Sequence, residues 1–545
     1  MRKTNMKQYL SKSYWLLPKE DSCIAPEGVW SNKDMDPTPI EYRTWTGWTF
    51  FSYWVCDLFQ PGGWATTAAF VGMGLMWWES CLAVLAGSFL SAIVIACNGV
   101  VGGTLHVPFA VSSRAVYGYY GSRFVVISRC IMGCFWLSIN TFAAGQYVSY
   151  AIEAIWPSYA RLPNQIPASQ GATTKDFLSF FLIWVIQFPF LLVHPSKLQP
   201  VFYTKACLVP VVALGTMIWA LVKCRDGPGI AYALSTPQNR VSAGVPRFIA
   251  FMYSVTSVQG TWATMGVNVA DFSRYCRNPK SSWLQLFAFP VINTLVSIVA
   301  AITAACLLPV YGDVLYQPYL IVSKWGTSPG GRAAMFLASL AWALANVTTN
   351  VSANSISAAN DLAALFPRWM NIRRGQLFVA IVGVWGFAPW KVLQSAANFL
   401  TFMSSYSVIL APIASLMFFD FFVIKHGRYN VYELYVPHGI YYYTKGWNWR
   451  AYVAVICAVA PNMPGMVNAI NPNIKIGNIK YVYMVSNIVA HFIALNVYYI
   501  LNKLFPARQT LIDHPVHDVL EDTPAIPMNY EDSSDMEKNE KLNLV

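Results

Sequence analysis

Charge is what this chain has least of. Asp, Glu, Lys and Arg together make up 11% of its 545 residues, against about 25% in an ordinary soluble domain. Metal-ligand patterns are missing too. Eleven cysteines are present, but no Cys-x-x-Cys and no Cys/His ligand spacing occurs. Most of them (Cys56, Cys81, Cys97, Cys130, Cys134, Cys306, Cys457) sit in apolar runs as small packing residues. Neither a metal, nor a cofactor, nor a disulfide framework is expected. The first 45 residues lack the apolar core of a cleavable signal peptide. Strand-like alternation of apolar and polar residues is absent from the long apolar runs, which excludes a β-barrel.

What remains is apolar. Hydrophobic residues reach 56% and aromatics 15%, with mean hydropathy +0.41. This composition predicts an all-α polytopic membrane protein. A span needs about 20 apolar residues. By that measure about twelve spans are expected, over 47–70, 74–102, 121–153, 177–194, 200–223, 246–272, 283–308, 332–364, 374–390, 393–424, 450–470 and 479–502. The net charge of +12 comes from basic residues spread over loops, so topology explains it and no nucleic-acid partner is expected. With the N-terminus inside, roughly 25 of the 37 Lys and Arg fall on the cytosolic side and about 11 outside. Arg129 lies within a span. Both tails are therefore expected in the cytosol. The organisation reads as an N-terminal tail (1–45), a ten-helix core (46–425), a cytosolic loop (426–449), two further spans (450–502) and an acidic tail (503–545). The half-apolar loop 103–120 is expected to lie along the membrane interface. The C-terminal tail reads as disordered, with Lys538 and Lys541 among carboxylates. It is either a solvating tail or one that ubiquitination and endocytosis machinery recognises.

Polar residues inside spans are costly in hydrocarbon, roughly several kcal/mol for each unsatisfied group. They gather in four places. The segment Ala341–Pro367 carries Asn346, Asn350 and Asn354 at i, i+4 and i+8, on one helical face. Interhelical hydrogen bonding and the wall of a polar site both meet that demand. The first span holds Asp57, Gln60 and Pro61-Gly62-Gly63. That tripeptide either kinks a helix or breaks it, and a broken helix frees backbone groups to bind ions and substrates. The third span places Trp136 and Asn140 on one face. Such a pair packs a core, or stacks a flat heterocycle and reads its amide edge. The sixth span, with Gln259, Gly260, Thr261, Trp262, Thr264, Gly266 and Asn268, reads as an interrupted polar helix. Two interrupted spans five apart predict two five-helix repeats in inverted topology.

These residues carry a resemblance. The stretches His106–Arg114 (HVPFAVSSR), Trp262-Ala-Thr264 with Asn268, Asp271–Tyr275 (DFSRY), Ala353–Asp361 (ANSISAAND) and Tyr441–Arg450 (YYYTKGWNWR) resemble the nucleobase–cation symporter-1 family. Within it they resemble the fungal uracil/allantoin/uridine/thiamine permease branch. The likeness covers roughly 33–505. It implies a five-plus-five inverted-repeat, LeuT-like core with broken helices 1 and 6. It also implies import of a planar nitrogen heterocycle by cation symport through alternating access. By position, Trp136 and Trp262 would sandwich the substrate, and Asn140, Gln60 and Asn354 would read its polar edge. Asn140 stands where the family usually has Gln, an arm one methylene longer. Met403 would be the gate. The sodium-binding positions correspond to Cys56, Phe59, Ala345, Thr348 and Thr349. Fungal relatives use protons, which are expected here ahead of sodium. Asp57 is then the candidate proton carrier, against a purely structural hydrogen bond. Lys205, whose ammonium could stand in for sodium, is the second candidate, against snorkelling to the interface. The expected membrane is the plasma membrane. A nutrient receptor of the same fold, binding without transport, is the alternative. An enzyme is not expected: His106, His194, His426, His438, His514 and His517 fall in loops or near span ends.

Overall fold

The computed structural model describes residues 15–18, 24–26, 29, 31–193, 198–235, 245–326 and 328–517. The acidic tail beyond 517, with Lys538 and Lys541, most of the first 30 residues, and His194 lie outside the described residues. Among the described residues no named strand occurs; three isolated β-bridges pin loops together.

The first expected span is two helices, α1 (Gly47–Leu58) and α2 (Pro61–Gly72). The break lies one step earlier than the Pro-Gly-Gly run suggests. Phe59 and Gln60 are the non-helical residues, and Pro61 occupies the first turn of α2. There its fixed φ and missing N–H cost nothing, because that N–H would be unsatisfied anyway. Then follow α3 (Trp77–Leu105), α4 (Ser122–Ile155), α5 (Thr174–Leu192), α6 (Gln199–Arg225), α7 (Arg247–Asn268) and α8 (Gln285–Tyr311). The eighth span is α9 (Pro329–Thr349), a π turn over Asn350–Ser355, and α10 (Ile356–Leu365). The chain closes with α11 (Ile372–Phe378), α12 (Ala396–Phe419), α13 (Trp449–Val459), α14 (Met463–Ile470) and α15 (Ser486–Leu504).

Eight of the described helices are long and apolar enough to cross a bilayer. A ninth forms if Gly477–Met484 and α15, bent by 78°, count as one span. The other three expected spans are helical but differ in kind. The first is split between α1 and α2, the sixth is the polar helix α7, and the ninth is α11 running into a π turn at Val379–Gly383. The sixth span also differs from expectation in where it is interrupted. It stays helical through Gly260 and Gly266, and the interruption falls at Val269, before a short helix Ala270–Ser273. Those glycines serve contact instead. A Cβ at Gly260 would stand 2.3 Å from the Met403 carbonyl, and one at Gly266 would touch Val94 and Ala414.

The helices pack as two groups. Helices α1/α2, α3, α7 and α8 contact one another, as do α4, α5, α9/α10 and α11. Helix α6 touches both α8 and α9, and α12 joins α7 to α15. Residues 103–120 do not lie along an interface. Val107, Phe109, Val111, Ala115 and Tyr117 are buried. All but Phe109 and Tyr117 share a cluster with Tyr429, Val431, Leu434, Tyr435 and Tyr441. The cover comes from more than 300 residues along the chain, so the loop's own composition could not show it.

Candidate functional site

The break in the first span sets the site. Phe59 and Gln60 leave the helix, and the Gln60 side chain folds over Gly62, where a Cβ would lie 3.1 Å from Gln60 Oε1. A cavity beside it offers about 50 Å³ to the centres of water-sized spheres, room for a few waters. Gln60, Trp136, Asn140, Trp262 and Asn354 all line it, together with Asp57 and Thr349. The sequence reading and the cavity thus coincide for the five residues expected to hold a ligand. All five are buried.

Each side chain is positioned by identifiable neighbours. Trp136 Nε1 donates to Tyr406 Oη at 3.3 Å, and Tyr406 donates to the Gly260 carbonyl at 2.5 Å. The missing Cβ of Gly260 is what allows α12 this close. Trp262 is held by ring edges, with Trp54 at 5.7 Å and Phe289 at 5.1 Å. Trp54 is fixed in turn by donating to Gln285 Oε1 at 3.1 Å. Asn354 donates to Asn350 Oδ1 at 3.0 Å, and Asn350 donates to Thr141 Oγ1 at 3.1 Å and Gln187 Oε1 at 3.2 Å. Two rungs of the Asn ladder serve the two purposes, while the third, Asn346, is buried with neither amide atom bonded and does not line the cavity. Asn350 is interhelical glue, and Asn354 faces the cavity. The π turn supplies the change of register, as such turns often do at functional sites. No Pro or Gly marks it in the sequence.

The coupling set divides. Lys205 is buried, and its Nζ donates to Thr349 Oγ1 at 3.0 Å. Its acidic neighbours are Cys56 and Asp57. It is not snorkelling to an interface. Thr348 donates to the carbonyls of Leu344 (2.7 Å) and Ala345 (3.0 Å). Cys56 Sγ lies 3.9 Å from the Phe202 carbonyl on α6. Lys205, Cys56, Phe59, Ala345 and Thr348 thus stand behind the cavity wall, while Asp57 and Thr349 reach through it. Asp57 Oδ1 and Gln60 Oε1 have no hydrogen-bond partner. Met403 is fully buried, against Gly260, and does not line the cavity.

One feature was not foreseen. Arg129 also lines the cavity and is ion-paired to Asp361, Nη1 to Oδ2 at 2.6 Å, both buried. With the Asn268 amide oxygen turned toward donors, Arg129 Nη2 reaches it at 2.7 Å. Asp271 accepts from the Phe109 N–H at 3.0 Å. This cluster ties α4 and α10 to the end of α7 and the loop after α3, and floors the cavity seven residues before Trp136. The signal available was a lone arginine inside a span, which rarely exists without a partner. Its partner, 232 positions away, was not readable.

A buried polar cavity at a helix break, in a multi-pass helical protein, is an arrangement that membrane transporters use. The comparisons agree. A family model described as permease for cytosine/purines, uracil, thiamine, allantoin matches residues 37–490. An uncharacterized permease of Schizosaccharomyces pombe is 34% identical over 503 residues, covering 92% of this chain and 88% of the relative. The uracil permease of Saccharomyces cerevisiae is 31% identical over 506 residues, 90% of this chain and 78% of the relative. The fold is shared with Mhp1, a nucleobase-cation-symport-1 family transporter solved in a closed conformation with bromovinylhydantoin bound. The TM-score is 0.66 at 19% identity, over 87% of this chain and 97% of that one. The chain belongs to this permease family.

Proposed function

We propose that this protein imports a planar nitrogen heterocycle, such as a nucleobase, nucleoside, allantoin or a vitamin like thiamine, by proton symport through alternating access. The observation that carries the reading is the convergence of two indoles and three amides on one buried cavity. An indole face stacks on a flat ring, and amides pair with its donors and acceptors. Trp136 and Trp262 are the stacking residues, and Gln60, Asn140 and Asn354 the polar readers. Relatives that bear the names allantoin permease, uridine permease and thiamine transporter support the substrate class. The membrane is the plasma membrane, with both termini in the cytosol.

Symport needs each ligand to favour the closed state over either open one. Substrate enters beside Gln60, where the orphaned carbonyl oxygen awaits a donor. Asp57, buried beside it, takes the co-transported proton. Lys205, bonded to Thr349, supplies the positive charge that sodium supplies in other members, so protons rather than sodium drive uptake. Met403 on α12 acts as the gate. Helices α1/α2, α3, α7 and α8 rock as one body against the rest.

The test is uptake in a transport-deficient cell, competed by a panel of unlabelled heterocycles with and without a proton uncoupler. The expected result is competition by a subset of the panel, with uptake collapsing when the uncoupler is added. Binding without accumulation would overturn the transport reading in favour of a receptor, and uptake that follows sodium and ignores the uncoupler would overturn the proton.

A further inference from the structure

The last span lies outside the ten-helix core, yet its polar face is aimed at α12. Tyr483, Asn487, His491 and Tyr498 are spaced by four, four and seven residues. Tyr483 Oη lies 2.9 Å from Ser405 Oγ and donates to the Thr401 carbonyl at 3.2 Å. His491 Nδ1 meets Ser415 Oγ. Tyr498 Oη donates to Asp420 Oδ1 at 2.7 Å. The opposite face carries Phe492, Ile500 and Leu504, all exposed, as suits lipid. Most of these bonds join α15 and the short helix before it to α12 and its end, and would serve as ordinary interhelical glue.

Asn487 differs. Its side chain is buried, and its two N–H hydrogens go to two different helices: the Thr256 carbonyl of α7 at 3.1 Å and Ser407 Oγ of α12 at 3.1 Å. In the same layer Ser257 of α7 lies 3.0 Å from Ser404 of α12, and the Met403 carbonyl sits in the space left by Gly260. One turn on, Tyr406 bonds both the Gly260 carbonyl and the Trp136 indole. Asn487 thus fastens α7, which carries Trp262, to α12, whose Tyr406 bonds Trp136, on the side that the proposed topology makes the outer one.

We propose that Asn487 is a positioning residue for transport: from the twelfth span it fastens α7 to α12 and sets how readily the outer wall of the cavity opens. The role in transport rests on the function proposed above; the fastening itself does not. Helix α7 belongs to the group that rocks, so the Thr256 bond is one that opening must break. Removing it makes the closed state less favourable before substrate arrives. Substrate must then supply the difference, and apparent affinity falls.

Hydrogen exchange on the purified full-length protein reads the fastening without any substrate. Asn487→Leu removes both bonds, so exchange in 253–261 and 400–408 should rise by about tenfold or more while 338–349 on α9 stays unchanged. Ser407→Ala, a milder variant that keeps the Thr256 bond, should give a smaller rise limited to α12. Unchanged exchange in both stretches, or an equal rise across all helices, would overturn the fastening. Uptake kinetics read the consequence, using whichever of labelled uracil, uridine, allantoin or thiamine the wild type accumulates. Asn487→Leu should raise KM about tenfold and leave Vmax per surface molecule within about twofold. A fall in Vmax at constant KM would mark a merely structural residue. If the wild type takes up none of the four, the transport role falls, while the exchange result still decides the fastening.

Discussion

The two walls of the cavity are built differently. On the α4/α10 side, Trp136 is bonded to Tyr406, Asn354 to Asn350, and Asn350 to Thr141 and Gln187, while Arg129 Nε and Asp361 Oδ1 have no partner. On the α2/α7 side, Gln60 Oε1 and Asp57 Oδ1 have no partner, and Trp262 is held by ring edges alone. A buried acceptor without a partner costs about 1–3 kcal/mol. The first wall is finished at Trp136 and Asn350. The second is incomplete until something donates to it. Such a division suits a carrier whose closed state must be favoured by its cargo, because the cargo satisfies what the protein alone leaves open.

The comparison can be broken in several places, in order of expected effect. Trp136→Ala removes a ring from the first wall and should abolish uptake while surface expression persists; normal accumulation would remove the stacking role. Asp57→Asn should leave residual uptake that no longer tracks external pH or carries proton influx, and an unchanged pH profile would reject Asp57 as the proton carrier. Gln60→Ala, on the incomplete wall, should raise KM about tenfold, equivalent to roughly 1.4 kcal/mol, without loss of folded protein. On the first wall Asn350→Ala should do the reverse. It leaves Gln187 Oε1 without that donor and lowers stability by about 1–3 kcal/mol, read as a lower thermal midpoint in detergent, with KM nearly unchanged. If Gln60→Ala destabilised the protein and Asn350→Ala weakened binding, the two walls would have been assigned the wrong way round.

Pro61 with Gly62 and Gly63 marked the break in the first span to within two residues. Proline alone does not decide it, because Pro189, Pro210, Pro290, Pro309 and Pro412 stay inside α5, α6, α8 and α12. Gln60, Asn140 and Asn354 were readable as cavity-lining residues because amides do not face lipid; Trp136 and Trp262, which line the same cavity, were readable only beside those amides and through the resemblance. Glycine misled at Gly260 and Gly266. An absent side chain weakens a helix and equally admits a neighbour, and only the position of α12 tells which applies. The π turn at Asn350–Ser355 carries no Pro or Gly; it packs against α4 and α5, which the sequence does not show to be its neighbours. The burial of 103–120 and the pairing of Arg129 with Asp361 depend on segments hundreds of residues distant, which local pattern cannot supply.

Lys205 has a consequence of its own. A sodium ion at Thr349 would come and go with the salinity outside, and the geometry around it would follow. The amine of Lys205 is carried by α6 itself and bonded to Thr349 at the end of α9, so its place at that junction does not depend on the ion content outside.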